Sequence, residues 1–116
     1  MIDLEELYRR LGGDCKSVLQ RIPSEAMVCK FVHKYADDPT YSQLQAAVQA
    51  ADWETAFRAA HTMKGLAQNL GFERLYRSAA ALTEAMRGPK PLTEPALLSA
   101  VEEEQRQVLD TVGQLK

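Results

Sequence analysis

The sequence predicts an all-α protein, an antiparallel up-and-down four-helix bundle with additional short N-terminal helices. Apolar residues recur at three- and four-residue steps along most of the chain. Gly and Pro gather between those stretches, at Gly12-Gly13, Pro23, Asp37-Asp38-Pro39, Gly71 and Gly88-Pro89-Lys90-Pro91. No strand-like alternation of useful length interrupts them. Short links between amphipathic helices make neighbours run antiparallel, which gives a bundle. The 116 residues are one domain's worth of chain, with short N-terminal helices over 1–36 and the bundle over 40–116.

Each element has its own signals. Leu4, Leu7, Tyr8 and Leu11 stripe a first short helix. Asp14 is placed to cap a second, carrying Val18, Leu19 and Ile22. Ser24 is placed to cap a third, with Met27, Val28, Phe31, Val32 and Tyr35 on one face. Thr40 and Gln43 have capping-box spacing, ahead of Tyr41, Leu44, Ala47, Val48 and Ala51. Asp52 is expected to cap a helix over roughly 53–70 that Gly71 ends in a left-handed turn. Phe72, Leu75, Tyr76, Ala79, Leu82 and Met86 stripe the next helix. Thr93 is expected to open the last one, with Pro95 tolerated in its first turn. Its stripe is Leu97, Val101, Val108, Val112 and Leu115, interrupted by Gln105, which places the middle of that helix nearer solvent.

Composition narrows the function. The chain is 46% hydrophobic and 26% charged, as in a soluble globular protein. A net charge of -2 gives no basic footprint for nucleic acid. The apolar runs are too short for a membrane span, and the acidic N-terminus lacks the form of a signal peptide. Cys15 and Cys29 make neither a zinc motif nor a disulfide framework, so a cytoplasmic protein with reduced thiols is expected. A chain this short has no room for an additional ATP-binding domain. The exposed faces show no dimer seam, and a monomer is expected.

The helix over 53–70 carries the chemistry. On a wheel of about 100° per residue, Trp53, Ala56, Ala60, Met63, Ala67 and Leu70 share one arc, the core-facing stripe. His61 lies roughly 130° from the centre of that arc and points to solvent. Phe57, Lys64, Gly65 and Gln68 stand beside it, with Arg58 at the flank. Gly65 sits inside a helix, where it costs about 1 kcal/mol relative to Ala. One turn from His61, it leaves a notch through which another molecule can approach the ring. An imidazole, with a reference pKa of about 6.5, is largely neutral and nucleophilic near pH 7. A phosphoryl group in transfer carries negative charge on its oxygens, which an ammonium such as that of Lys64 stabilises. Gln68 offers amide donors on the same line. A convex helix suits a donor carried on another protein better than a small substrate, whose sites are concave. By spacing alone, phosphoryl acceptance stands beside the plainer reading of His61, Lys64 and Gln68 as solvated surface residues, with Gly65 easing helix packing.

His61-Thr62-Met63-Lys64-Gly65, followed by Leu70-Gly71, resembles the His-x-Leu-Lys-Gly signature of histidine-containing phosphotransfer (HPt) domains. The helical layout and the length agree over the rest of the chain. The resemblance implies a phosphorelay or two-component protein with an up-and-down four-helix bundle. Its His61 takes a phosphoryl group from a receiver-domain aspartate, through the outer ring nitrogen, and passes it to another receiver. It implies that Lys64 steadies the phosphoryl group, that Gly65 keeps the docking face open and that Gly71 makes the turn. From their place beside His61 on the wheel, Gln68 is a candidate hydrogen-bond donor to the phosphoryl group, and Phe57 and Arg58 are candidate docking residues. It implies response-regulator receiver domains, and a hybrid histidine kinase, as partners. No cofactor or metal belongs to this chain; magnesium sits on the receiver's carboxylates. Met63 departs from the usual Leu by a near volume-conserving swap. Leu66 stands where the family often has a small residue, at the edge of the buried arc and far from His61.

Other readings compete. A histidine kinase's phosphoacceptor domain also has a helical histidine, but with an acidic residue directly after it and a proline a few positions on, where this chain has Thr62 and Gly65. A non-catalytic helical adaptor that docks receivers or other partners needs neither His61 nor Lys64, and in a purely structural bundle His61 is incidental. His33 lies among Lys30 and Lys34 as an ordinary surface residue. Arg74 and Arg77 are expected to favour an acidic receiver pocket if they face the His61 side.

Overall fold

Seven helices follow one another in the computed structural model, which describes residues 1–116: α1 Leu4–Leu11, α2 Cys15–Arg21, α3 Glu25–Ala36, α4 Thr40–Gln49, α5 Trp53–Leu70, α6 Glu73–Ala85 and α7 Pro95–Val112. Local chemistry sets most of their ends. The Asp3, Asp14, Ser24 and Asp52 side chains each accept a hydrogen bond from a first-turn backbone N–H, of Glu6, Lys16, Met27 and Thr55. Such caps satisfy donors that have no partner within the helix. Gly12 and Gly71, at φ 77° and 74°, end α1 and α5 in left-handed turns.

Two boundaries differ from expectation. Thr40 does not cap α4; it is the first helical residue, and its backbone N–H donates to Asp38 Oδ1 at 2.8 Å. Asp38 lies just outside the helix and takes the capping role, which frees the Thr40 side chain to be buried. Likewise α7 starts at Pro95 with Glu94 as its N-cap, leaving Thr93 outside. Proline favours the first helical position because its missing N–H had no partner there and its φ is already helical.

A single cluster of 27 buried apolar side chains runs from Ile2 to Leu115. The four helices of the expected bundle each pack on their chain neighbour, α4 on α5, α5 on α6 and α6 on α7. α3 lies against both α5 and α7 and buries Val28, Val32 and Tyr35. α1 and α2 gather where α5 and α7 terminate. There Ile2 bridges Leu115, and the Tyr8 hydroxyl donates to the Leu70 carbonyl at 2.6 Å.

The stripes hold with three exceptions. Met27 is 44% exposed, just off the buried edge of α3. Ala51 belongs to the α4–α5 turn, at φ 55°, and is exposed. Gln105 is not near solvent but 4% exposed, and its side-chain oxygen accepts the Tyr35 hydroxyl at 2.6 Å. A buried amide is tolerated when paired, and the partner comes from α3. Burial pushes the Tyr35 hydroxyl pKa far up, despite the hydrogen bond to Gln105, so the pair stays neutral. No buried side-chain polar atom lacks a partner.

Candidate functional site

Four alanines, Ala56, Ala59, Ala60 and Ala67, share the buried side of α5 with Met63 and Leu70. Small side chains let α4 and α6 approach closely on either side. α5 is thereby held firmly, with its remaining face turned outward. His61 is exposed on that face, as are Thr62, Gly65 and Gln68, while Phe57 and Lys64 are half-buried. The structure brings Phe57, His61, Lys64, Gly65 and Gln68 onto one line along the helix.

Around the imidazole the surroundings are specific. The Phe57 ring lies 6.3 Å from the His61 ring, centroid to centroid, and close to parallel at 18°. A Cβ built on Gly65 meets no atom within 4 Å, so the notch opens to solvent and owes nothing to helix packing. Lys64 forms no ion pair, unlike Arg58, which is paired with Glu54 on the outer side of the helix. Gln68 is exposed, and its backbone carbonyl accepts Arg21 Nη2 at 3.1 Å. The clefts among α1 and α2, between α3 and α5, and along α4 contain none of these residues, and the one beside α2 and the end of α5 takes in Gln68 but not His61. The imidazole stands on a convex surface.

Two neighbours come from α6 and its end and were not anticipated. The Arg87 guanidinium sits 5.3 Å from the Phe57 ring centroid, in cation–π contact. It pairs with Glu84 at 2.8–3.2 Å. The hydrogen bond from Arg87 holds the Glu84 carboxyl below the usual carboxylate range, and the nearby Lys64 and His61 act in the same direction. A signal for these residues exists in the sequence. α5 and α6 form a hairpin about Gly71, so positions equidistant from that glycine face one another, and Phe57 comes level with residues near 85. Arg74, by contrast, does not face His61. It donates to Glu104, Gln107 and the Arg10 carbonyl, on the α1–α7 side. Arg77 leans on Glu73 at 4.0 Å.

No group of three or more His, Cys, Asp or Glu side chains is arranged to hold a metal ion. No helix is long and apolar enough to cross a membrane. The arrangement on α5 offers an imidazole in the open, an ammonium in no ion pair three residues on, a gap in the helix surface one turn away and an aromatic ring behind. The family model of the Hpt domain matches residues 30–115. Comparison with curated proteins and with solved structures finds no match.

Proposed function

Because this chain belongs to the Hpt domain family, whose business is histidine phosphotransfer in phosphorelays, we propose that His61 is the phosphoryl acceptor. A receiver domain carrying an aspartyl phosphate docks over α5. A ring nitrogen of His61 attacks the phosphorus in line with the aspartyl oxygen. The new N–P bond forms as the P–O bond to the aspartate breaks, and the carboxylate leaves with the electron pair. The other ring nitrogen sheds its proton to water. The reverse sequence loads a second receiver, and a hybrid histidine kinase is a further class of donor.

The observation that carries this reading is the exposed His61 with an open Gly65 one turn away and an unpaired Lys64 beside it. Lys64 compensates charge on the moving phosphoryl group. Gln68 donates a hydrogen bond to it, or to the partner's backbone. Phe57 gives the partner an apolar contact, and Arg58 lies at the margin of the same footprint. Any magnesium in the reaction sits in the receiver's carboxylate pocket. The whole chain, 1–116, works as a single unit, in the cytoplasm and as a monomer.

The test is transfer from a receiver domain phosphorylated with acetyl phosphate. Phosphate is expected to leave the receiver and appear on the wild-type chain, while His61→Gln takes none and keeps its helical circular dichroism. Transfer to His61→Gln at the wild-type rate removes the assignment. If the wild-type chain binds receivers but never accepts phosphate, the adaptor reading replaces it.

A further inference from the structure

The exposed cations near α5 divide into two kinds. Arg58 and Arg87 each hold a carboxylate, Glu54 and Glu84. Lys64 and Arg21 have no ion-pair partner among the eight pairs of the molecule. Lys34 of α3, beside Leu66 and Asn69, is unpaired as well. Lys64 and Arg21 lie on the Gly71 side of His61, whereas the opposite side presents the Phe57 ring and the Arg58 and Arg87 pairs. The face is therefore polarised along the helix axis.

Arg21 is held in place. Its Nη2 donates to the carbonyls of Gln68 and Asn69, both at 3.1 Å, and Nη1 to Ser17 Oγ at 3.4 Å. Those carbonyls belong to the last turn of α5, where a helix carries about half a negative charge. The Arg21 guanidinium offsets that charge and is a fixed, exposed cation at this end of the face. Two acids share the groove with Arg21. Asp14 is engaged with the Lys16 backbone N–H, and Glu73 leans toward Arg77. Asn69 is eight residues of helix rise beyond His61, about 12 Å, and Arg21 Nη2 stands a further 3.1 Å from its carbonyl oxygen. A partner footprint of ~800 Å² reaches roughly 16 Å from its centre. Arg21 thus falls at the rim of a footprint centred on His61.

Resting on the phosphotransfer reading above, we propose that Arg21 is part of the receiver-docking surface. It supplies, with Lys64, the cationic half that orients an incoming receiver's anionic phosphorylation site, while Phe57 takes the apolar half. Arg21 belongs to α2, outside the stretch that matches the Hpt family model. The docking face of this chain thereby takes in a segment outside the matched stretch. Because the guanidinium is already fixed, it adds its charge without the ordering cost of a free side chain.

The test measures the second-order rate of phosphoryl transfer from a phosphorylated receiver that loads the wild-type chain, at 50 mM and 500 mM salt. Labelling of the wild type by phosphoramidate is the control, and its failure tells against the phosphotransfer reading itself. Arg21→Glu is expected to slow transfer at low salt by about tenfold, the lower end of electrostatic steering. The deficit shrinks at high salt, where the screening length falls to about 4 Å; Arg21→Lys transfers near the wild-type rate. A lost helix cap alone gives a deficit that salt does not relieve. Ser17→Glu provides an independent variant. It places a carboxylate one turn from Arg21, which neutralises the charge and strengthens α2. It is expected to slow transfer in the same salt-dependent way. Wild-type rates at low salt in Ser17→Glu, together with either wild-type rates or a salt-independent deficit in Arg21→Glu, overturn the proposal.

Discussion

Gly65 and Gly71 lie six residues apart on and just beyond one helix, yet they answer to different demands. Around Gly71 a Cβ would come within 2.3 Å of Val18 Cγ2, and the backbone is left-handed at φ 74°. Tyr8 and Arg21 bind the three carbonyls just ahead of it. The fold requires glycine there. Around Gly65 there is open space and ordinary helical backbone. The fold has no use for glycine at that position and is weakened by it. A residue that costs stability without serving packing points to what happens outside the molecule. The contrast separates a glycine that the bundle requires from one that the proposed docking face would require.

The largest effect that bears on the contrast is loss of function with no loss of fold. His61→Gln is expected to abolish phosphoryl labelling while its melting temperature stays within a degree or so of wild type, read by thermal circular dichroism. A large drop in stability would mean that His61 serves the fold after all. Gly71→Ala is expected to do the reverse. The left-handed backbone costs about 1–2 kcal/mol for a residue with a Cβ. The collision with Val18 adds about 1–3 kcal/mol of overpacking. Denaturant titration reads the sum, and a neutral result would show that the end of α5 relaxes freely.

Gly65→Gln sharpens the comparison, because stability and docking are expected to move in opposite directions. The helix gains somewhat less than 1 kcal/mol over glycine, while receiver binding, measured by calorimetry, weakens several-fold as the notch fills. Unchanged affinity would count against the notch. Gln105→Leu tests the buried amide. It leaves the Tyr35 hydroxyl without its acceptor, at a cost of about 1–3 kcal/mol, seen as a lower melting temperature.

The smallest effect concerns pH. The hydrogen bonds from Thr55 hold the Asp52 carboxyl below its usual range. A depressed carboxylate pKa stabilises the fold above the unfolded-state value, and the contribution fades as pH falls through the lower folded value. Asp52→Asn is therefore expected to reduce the melting-temperature difference between pH 7 and pH 3, modestly because the group is exposed. An unchanged difference would mean that the charge at that cap contributes nothing to stability.

Much of this molecule is readable from its sequence, for reasons that particular residues make plain. The caps at Asp14, Ser24 and Asp52, the turn at Gly71 and the buried and exposed faces of α5 follow from local chemistry and a 3.6-residue period. The misreadings share a different origin. Thr40 looked like a cap until Asp38, two residues earlier, took the donor. Gln105 looked misplaced because its partner, Tyr35, is 70 residues away. The side that Arg74 faces stayed open, because a single helix does not reveal which side its partners occupy; it turns to α1 and α7. The outward placement of Phe57, His61, Lys64, Gly65 and Gln68 was legible because they share one helix. The approach of Glu84 and Arg87 to Phe57 was not, since only the α5–α6 hairpin brings them there, and the contact of Arg21 with the end of α5 depends on the packing of α2.

The most direct measurement is the position of the phosphoryl group itself. The purified chain is treated with phosphoramidate, digested and mapped by mass spectrometry under non-acidic conditions. One acid-labile, base-stable adduct is expected on His61 and none on His33. An adduct elsewhere, or none on a folded chain, contradicts the claim that this exposed imidazole is the phosphoryl acceptor.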